Sequence, residues 1–143
     1  MPTTARFVRK TRQALPKGIA GHSRARVGFP ASKTQQDIVN KAVWLEFGTI
    51  TSPARPMISN TMDANRGKYL DALRVSAPKI LSGKTPIGQV AAKLGVLFEN
   101  DIKQEMVDMT EPANAPSTIK KKGSSNPTID TSETKNSVTH ETF

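Results

Sequence analysis

The chain has no cysteine and only two histidines, His22 and His140. Without cysteine it can form neither a disulfide nor a thiolate metal site. No group of histidine, aspartate and glutamate has the spacing of a metal site, and Glu99 and Asp101 are too close in sequence to share one face of a helix. The sequence therefore predicts a protein that is not an enzyme and that has no catalytic residues, metal site or cofactor.

Large apolar residues are also scarce. Hydrophobic residues make up 36% of the 143 positions and aromatic residues 5%, which is low for a globular domain. No apolar run approaches the roughly 18 residues of a membrane span, and the basic N-terminus lacks the apolar stretch of a secretory signal. We expect one domain with a small core that copies of the chain or a partner protein complete, and no membrane partner.

Acidic residues are absent before Asp37, although the net charge of the chain is +9. This pattern predicts either contact with nucleic acid or an acidic protein surface, or a solvated terminus. Lys120, Lys121 and Lys122 could also contact phosphates, but no aromatic residues are interleaved with them for base stacking. The residues predicted to contact DNA or an acidic surface are Arg6, Arg9, Lys10, Arg12, Arg24 and Arg26.

Three helices are predicted in the middle of the chain. The first covers residues 37–48, where apolar residues recur at helical spacing and Gly48 suits a left-handed C-cap. The second begins at Arg55 and Pro56 and is expected to bend or end at Pro78. The third begins after a Thr85 cap and is the predicted spine of the core, through a stripe of Ile87, Val90, Ala91, Leu94, Leu97, Phe98, Ile102 and Met106.

Two short strands are predicted at the two ends of this helical region. Val27 and Phe29 share a face in residues 24–30, and residues 137–143 alternate in polarity with β-branched support. Their antiparallel pairing predicts an α+β fold: two longer helices plus short helices packed on a small antiparallel sheet, with an extended N-terminal arm and a C-terminal excursion. A helix-like opening is also predicted within residues 1–22, ended by Pro16 and Gly18.

Two segments resemble a known family. "WLEFGT" followed by "SPARPMISNTM" resembles the "NEFGT … PARPF" block of bacteriophage tail-completion and virion-morphogenesis proteins, which are small neck or tail components of long-tailed phages. "PANAPSTIKKKGSSNPTIDTSETKNSVT" resembles the "PNSPSTIxxKGSxxPLIDTGxLxxSIT" block of the same family. The resemblance implies one tail-completion-like α+β domain at residues 24–143, with a basic arm at residues 1–23 and a polar interaction loop at 112–136.

Several positions depart from the family pattern. Leu45 stands where asparagine is common, and Met57 replaces phenylalanine. Thr128, Ser132 and Thr134 replace leucine, glycine and leucine in the second block. A glycine at the position of Ser132 would suit a backbone with positive φ.

The first block predicts a corner between two helices. Glu46 and Arg55 are expected to form a carboxylate–guanidinium pair across a tight turn, with Phe47 and Met57 filling the gap behind it. A fold-determining corner is the favoured interpretation, and a subunit interface is the alternative. The residues of this motif are Glu46, Phe47, Gly48, Thr49, Arg55, Pro56 and Met57.

The second block predicts an ordered, polar surface for neighbouring subunits. An exposed turn is expected at residues 117–122, and Asp130 or Thr131 is expected to cap the turn that leads to the last strand. The alternative is a mobile basic loop that becomes ordered only during assembly. The predicted interface residues are Pro116, Ser117, Thr118, Ile119, Lys122, Gly123, Pro127, Ile129, Asp130 and Thr131, with Ile119 and Ile129 as apolar anchors.

The resemblance implies that the chain has a structural role in the virion and that it is found in the host cytoplasm during assembly. A ring of identical copies, sixfold in the family, would complete the tail for joining to the DNA-filled head. Its partners would be tail tube or terminator proteins and head–tail connector proteins, with non-specific contact to packaged DNA. The alternatives are a head–tail adaptor or tail terminator of the same neck, and a basic nucleic-acid-binding protein.

Overall fold

The computed structural model describes residues 16–128 and 132–143. The predicted helix-like opening falls mostly outside these ranges. In chain order, a 3-10 helix at Lys17–Ile19 precedes β1 (Ala25–Gly28), α1 (Gln36–Phe47), α2 (Met57–Leu81), α3 (Ile87–Asp108), α4 (Pro116–Lys122), α5 (Glu133–Asn136) and β2 (Thr139–Thr142). The predicted α+β fold class is confirmed.

β1 and β2 form a two-stranded antiparallel sheet. Ala25 lies opposite Thr142 and Val27 lies opposite His140. Arg24 and Phe143 exchange backbone hydrogen bonds, with N–O distances of 3.1 and 3.0 Å. This confirms the predicted pairing of the two strands.

The sheet packs on α3, which also packs along α2. Met57, Ile102, Met106 and Val138 are almost fully buried. Ala42 and Met109 complete the central cluster, which joins α1, α2, α3 and the residue before β2. The position of Ile102 and Met106 confirms the prediction that the third helix is the spine of the core.

Two predicted helix ends differ from the structure. Of the two alternatives predicted for Pro78, a bend or an end of the second helix, the end is wrong, because α2 continues through Pro78 and ends three residues later at Leu81. A proline so close to the C-terminus removes only one of the last hydrogen bonds, so it does not split the helix. Thr85 does not cap α3; Pro86 is the N-cap residue, and no side chain caps this end.

The described part of the predicted arm packs on the same body. The 3-10 helix contacts α2, and His22 Nδ1 lies 3.2 Å from the carbonyl oxygen of Thr142. The packed structure therefore begins upstream of residue 24. Arg6, Arg9, Lys10 and Arg12 lie outside the described residues.

Candidate subunit interface

The corner between α1 and α2 begins at Gly48. Its φ of 75° and ψ of −179° confirm the predicted positive φ, although this ψ differs from that of a left-handed helical cap. This backbone region is essentially restricted to glycine. A Cβ at Gly48 would also lie 2.8 Å from the backbone nitrogen of Ala54. The turn can therefore close tightly only because no side chain is present at this position.

A short hydrogen-bonded turn follows Gly48. The Thr49 amide donates to the carbonyl of Ser52 at 2.8 Å, and Thr49 Oγ1 accepts from the Ser52 amide at 3.0 Å. The Arg55 amide then donates to the carbonyl of Leu45 at 2.6 Å. These bonds return the chain to α1 and fix the point at which α2 begins.

The buried carboxylate of Glu46 holds the start of α2. Its two oxygens accept from the backbone amides of Ile58 and Ser59, each at 2.9 Å, and Oε1 also accepts from the Ser59 hydroxyl at 2.5 Å. The first amides of a helix have no partner within the helix, and negative charge is favoured at this end. Glu46 of α1 therefore acts as the N-terminal cap of α2.

The predicted ion pair between Glu46 and Arg55 is wrong: the described salt bridges do not include one between them. The buried Arg55 guanidinium instead binds the segment after α3. Nε donates to the carbonyl of Pro112 at 3.0 Å, and Nη2 donates to Asn114 Oδ1 at 3.2 Å and to the carbonyl of Ala113 at 3.4 Å. Glu46 has helix amides within reach, and Arg55 has carbonyls, so each finds partners elsewhere.

Asn114 continues the connection from Arg55 into the second sequence block. Its amide donates to the carbonyl of Asn126 at 3.1 Å. Asn126 Nδ2 donates to the carbonyls of Met106 and Val107 at the end of α3, at 3.2 and 3.0 Å. The buried hydroxyl of Thr128 donates to the carbonyl of Met106 at 2.5 Å. The second block therefore satisfies the last carbonyls of the central helix.

The predicted exposed turn at residues 117–122 is confirmed as α4, which has no buried residue. Gly123 ends it in the left-handed conformation, and the Gly123 amide donates to the carbonyl of Ile119 at 2.8 Å. Ile119 is only half-buried, whereas Pro127 is buried. Lys122 Nζ donates to the carbonyl of Asn126 at 2.9 Å. Ile129, Asp130 and Thr131 lie outside the described residues.

Ser132 has a φ of 61° and is the N-cap residue of α5. Within residues 16–128 and 132–143 it is the only residue other than glycine with positive φ. The glycine in the family pattern predicts this conformation. The predicted cap residues, Asp130 and Thr131, lie outside the described residues.

The two described arginines of the predicted DNA-contact set lie at β1. Arg26 donates to Glu141 Oε2 from Nε at 2.8 Å and from Nη2 at 2.6 Å, and its guanidinium lies 5.4 Å from the centre of the Phe143 ring. Hydrogen bonds from the Ser32 hydroxyl and from Arg26 lower the pKa of Glu141. Arg24 and Arg26 are both exposed, and Arg26 is in addition paired with Glu141 across the sheet.

A surface of exposed apolar residues surrounds the corner. Phe47 is 77% exposed and Ile50 106% exposed, and Val43 and Trp44 are about half exposed. The prediction that Phe47 packs behind the corner is wrong, whereas Met57 is fully buried as expected. We name Val43, Trp44, Phe47 and Ile50 the corner patch. The sequence signal for it is that apolar residues occupy more of α1 than one face of a helix can bury.

A second feature that sequence reasoning missed is the cluster under β2. A Cβ at Gly95 would lie 2.7 Å from His140 Cδ2, so the absence of a side chain allows β2 to approach α3. His140 Nδ1 lies 2.8 Å from Glu99 Oε2, and Lys103 Nζ lies 2.6 Å from Glu99 Oε1. Burial alone would raise the pKa of Glu99, but hydrogen bonds from His140 and Lys103 outweigh it and lower the pKa below its ordinary value.

A groove of about 300 Å³ lies between α2, α3 and β1. Burial, followed by a hydrogen bond to Asp101, raises the pKa of the Tyr69 hydroxyl, so this group stays neutral. The rings of Tyr69 and Phe98 are 5.1 Å apart and line the groove. We name this feature the α2–α3 groove; its other lining residues include Met62, Leu73, Leu94 and Ile80.

Comparisons of the chain with protein-family models, curated proteins and solved structures find no match. Within residues 16–128 and 132–143, no three histidine, aspartate or glutamate side chains are grouped so that they could hold a metal ion. None of the described helices is both long and apolar enough to span a membrane. The arguments for function therefore depend on the residues of this chain and on how they are arranged.

Proposed function

We propose that this chain is a structural protein of a bacteriophage virion, located at the head-proximal end of the tail or in the neck. A ring of identical copies, six as the family resemblance implies, completes the tail so that it can join the DNA-filled head. Its partners are the tail tube or terminator on one side and the head–tail connector on the other.

The contact between the two sequence blocks supports the proposal. The blocks that resemble the phage family are separated by most of α2 and α3, yet Arg55 of the first block binds Pro112 and Asn114 of the second. If the two short resemblances were unrelated to each other, there would be no reason for the segments that carry them to be in contact. Two segments that fold as one hydrogen-bonded unit are better explained by a shared origin with that family.

The exposed surface is consistent with assembly. Each subunit in a ring buries two different patches, one against each neighbour. Within the described residues, eleven large apolar side chains are exposed, including the four of the corner patch. A chain with so small a core gains stability when neighbouring subunits cover such side chains.

Removing the chain from a phage that encodes it tests the proposal. A nonsense mutation in its gene should give DNA-filled heads and separate tails that fail to join, and supplying the wild-type chain should restore infectious particles. Electron microscopy counts joined and unjoined particles, and mass spectrometry detects the chain in purified virions. Normal particles that lack the chain would contradict the proposal.

The same material separates the sibling roles in the neck. A tail-completion protein or terminator stays with tails purified from a mutant that makes no heads. A head–tail adaptor stays with DNA-filled heads from a mutant that makes no tails. The chain should be found on the tails.

Exposed Lys120 and Lys121 on α4 favour one competing function, binding of nucleic acid. Binding driven by phosphate contacts weakens steeply as salt rises. Tight and salt-sensitive DNA binding by the purified chain, lost in a variant with both lysines changed to glutamate, would favour this function over the structural one.

A further inference from the structure

We infer that the corner patch of one copy inserts into the α2–α3 groove of a neighbouring copy. This inference rests on the proposed assembly of identical copies, and it names the two surfaces that join them. The two surfaces belong to one chain and, apart from their shared apolar character, are different in shape and in the residues that form them.

The corner patch has the composition of the centre of an interface. Residues 42–54 contain one charged residue, Glu46, and its carboxylate is buried against the start of α2. Trp44 and Phe47 are the aromatic residues of this stretch, and both are exposed. Interface centres are depleted of charge and enriched in aromatic residues, whereas ordinary exposed surface is not.

The exposed area is large enough for a stable contact. A fully exposed side chain of this size presents roughly 150–250 Å², so the exposed fractions of the four residues amount to roughly 400–700 Å². A standard interface covers about 800 Å² on each partner. The corner patch therefore supplies about half or more of one side of such an interface.

The shapes of the two surfaces favour a head-to-tail contact. Ile50 lies in the turn between α1 and α2 and is fully exposed, so this side chain projects from the corner patch. The α2–α3 groove is concave and lined almost entirely by apolar side chains, so it can receive such a side chain. Leu73 lies in this groove and is still 43% exposed, so it is accessible to an incoming side chain.

The absence of cysteine allows a direct test by cross-linking. A tagged Ile50→Cys chain is mixed with an untagged Leu73→Cys chain and oxidised gently. The inference predicts a disulfide-linked dimer of mixed size that disappears on reduction. Because each chain carries a single cysteine, a disulfide within one chain cannot form.

Val75→Cys is the matched control for Leu73→Cys. Val75 is on the same helix and is more exposed, at 68%, but it does not line the groove. The Leu73→Cys mixture should give at least severalfold more mixed dimer than the Val75→Cys mixture. Equal yields from the two mixtures would overturn the inference, because they would reflect random collision.

Two further outcomes would also overturn it. Ile50→Cys homodimers that form faster than the mixed dimer would show that one corner patch binds another. A folded chain that gives no cross-link at high concentration would show that the two surfaces do not meet. Neither result decides the proposed function, because detection of the chain in virions and the head-joining defect test that function independently.

Discussion

The Arg55 guanidinium donates to the carbonyl of Pro112, with 3.0 Å between Nε and the carbonyl oxygen. A lysine at this position can place one nitrogen near these carbonyls, but it cannot reproduce the planar set of donors. We expect Arg55→Lys to lower the free energy of unfolding by about 1–3 kcal/mol, because buried acceptors lose their partners. Chemical denaturation measures this change.

Hydrogen exchange separates this role from general packing. Exchange in Arg55→Lys should increase most in residues 113–128, which Arg55 and Asn114 hold in place. Arg66→Lys is the control, because Arg66 is exposed and forms a surface ion pair with Asp63 at 3.9 Å. This control should change stability by less than about 0.5 kcal/mol. If exchange increased equally throughout the Arg55→Lys variant, with no excess in residues 113–128, this result would contradict the assigned contact.

Glu46→Ala should destabilise the protein by about 2 kcal/mol, because the amides of Ile58 and Ser59 lose their acceptors at the start of α2. Glu46→Gln keeps one oxygen acceptor and should lose less stability. Thermal and urea unfolding of both variants and of the wild type measure this order of stability. Asp63→Asn, at an exposed position of the same helix, is the control. Equal stability of Glu46→Ala and the wild type would show that the cap is unimportant.

Gly48→Val should be among the most destabilising single substitutions in the chain. It combines an unfavourable backbone conformation with a Cβ only 2.8 Å from Ala54 N, and the conformational part alone is worth about 1–3 kcal/mol. Gly67→Ala provides the opposite case, because nothing lies within 4 Å of an added Cβ there. Because position 67 lies in the interior of α2, Gly67→Ala should raise the free energy of unfolding by about 0.5–1 kcal/mol. Unchanged melting of Gly48→Val would refute the corner assignment.

Ser132→Gly should raise the free energy of unfolding by about 1 kcal/mol, because it removes the penalty for a side chain at a φ of 61°. Ser137→Gly should do the reverse, since Ser137 has a φ of −82° and gains nothing from glycine's freedom. The urea unfolding midpoints of the two variants, each compared with that of the wild type, show whether the changes in stability have these opposite signs. A loss of stability in Ser132→Gly would mean that the serine side chain makes a contact that outweighs its strain.

The acid dependence of stability should report on Glu99. Because its pKa is lower in the folded chain than its ordinary value of 4.5, its stabilisation is complete above pH 4.5 and is lost as the pH falls through the folded value. The difference in stability between the wild type and Glu99→Gln should therefore shrink as the pH falls below 4.5. Urea unfolding between about pH 3 and pH 7 measures it.

Lys103→Met is the partner variant for this experiment. It removes one of the two bonds that lower the pKa of Glu99. In this background the effect of Glu99→Gln at neutral pH should be smaller. A difference between wild type and Glu99→Gln that is constant with pH would show that the carboxylate charge at this site does not stabilise the fold.

Local patterns were sufficient to predict much of the fold. The alternation around Val27 and His140 predicts two strands, and with only two strands available their pairing follows. The stripe that contains Ile102 and Met106 predicts α3 because its helical period is long and uninterrupted. Gly48 and the family pattern at Ser132 predict two positions of positive φ, since that conformation restricts residue choice strongly.

The polar contacts of the corner could not be predicted in the same way. A buried carboxylate and a buried guanidinium near each other in sequence suggest a pair, but helix amides and loop carbonyls compete for them, and those depend on the tertiary arrangement. Phe47 shows the same limit for apolar residues. Helical spacing identifies the apolar positions of α1, but it does not indicate which of them a small body can cover.

The pairing of β1 with β2 has a consequence for synthesis of the chain. Ala25 can pair with Thr142 only after Thr142 has been synthesised, and the buried Val138 immediately precedes β2. Contacts so distant in sequence form slowly and late. The body therefore cannot close on the ribosome while residues 138–142 are still unmade, so folding is completed only after translation has passed this point.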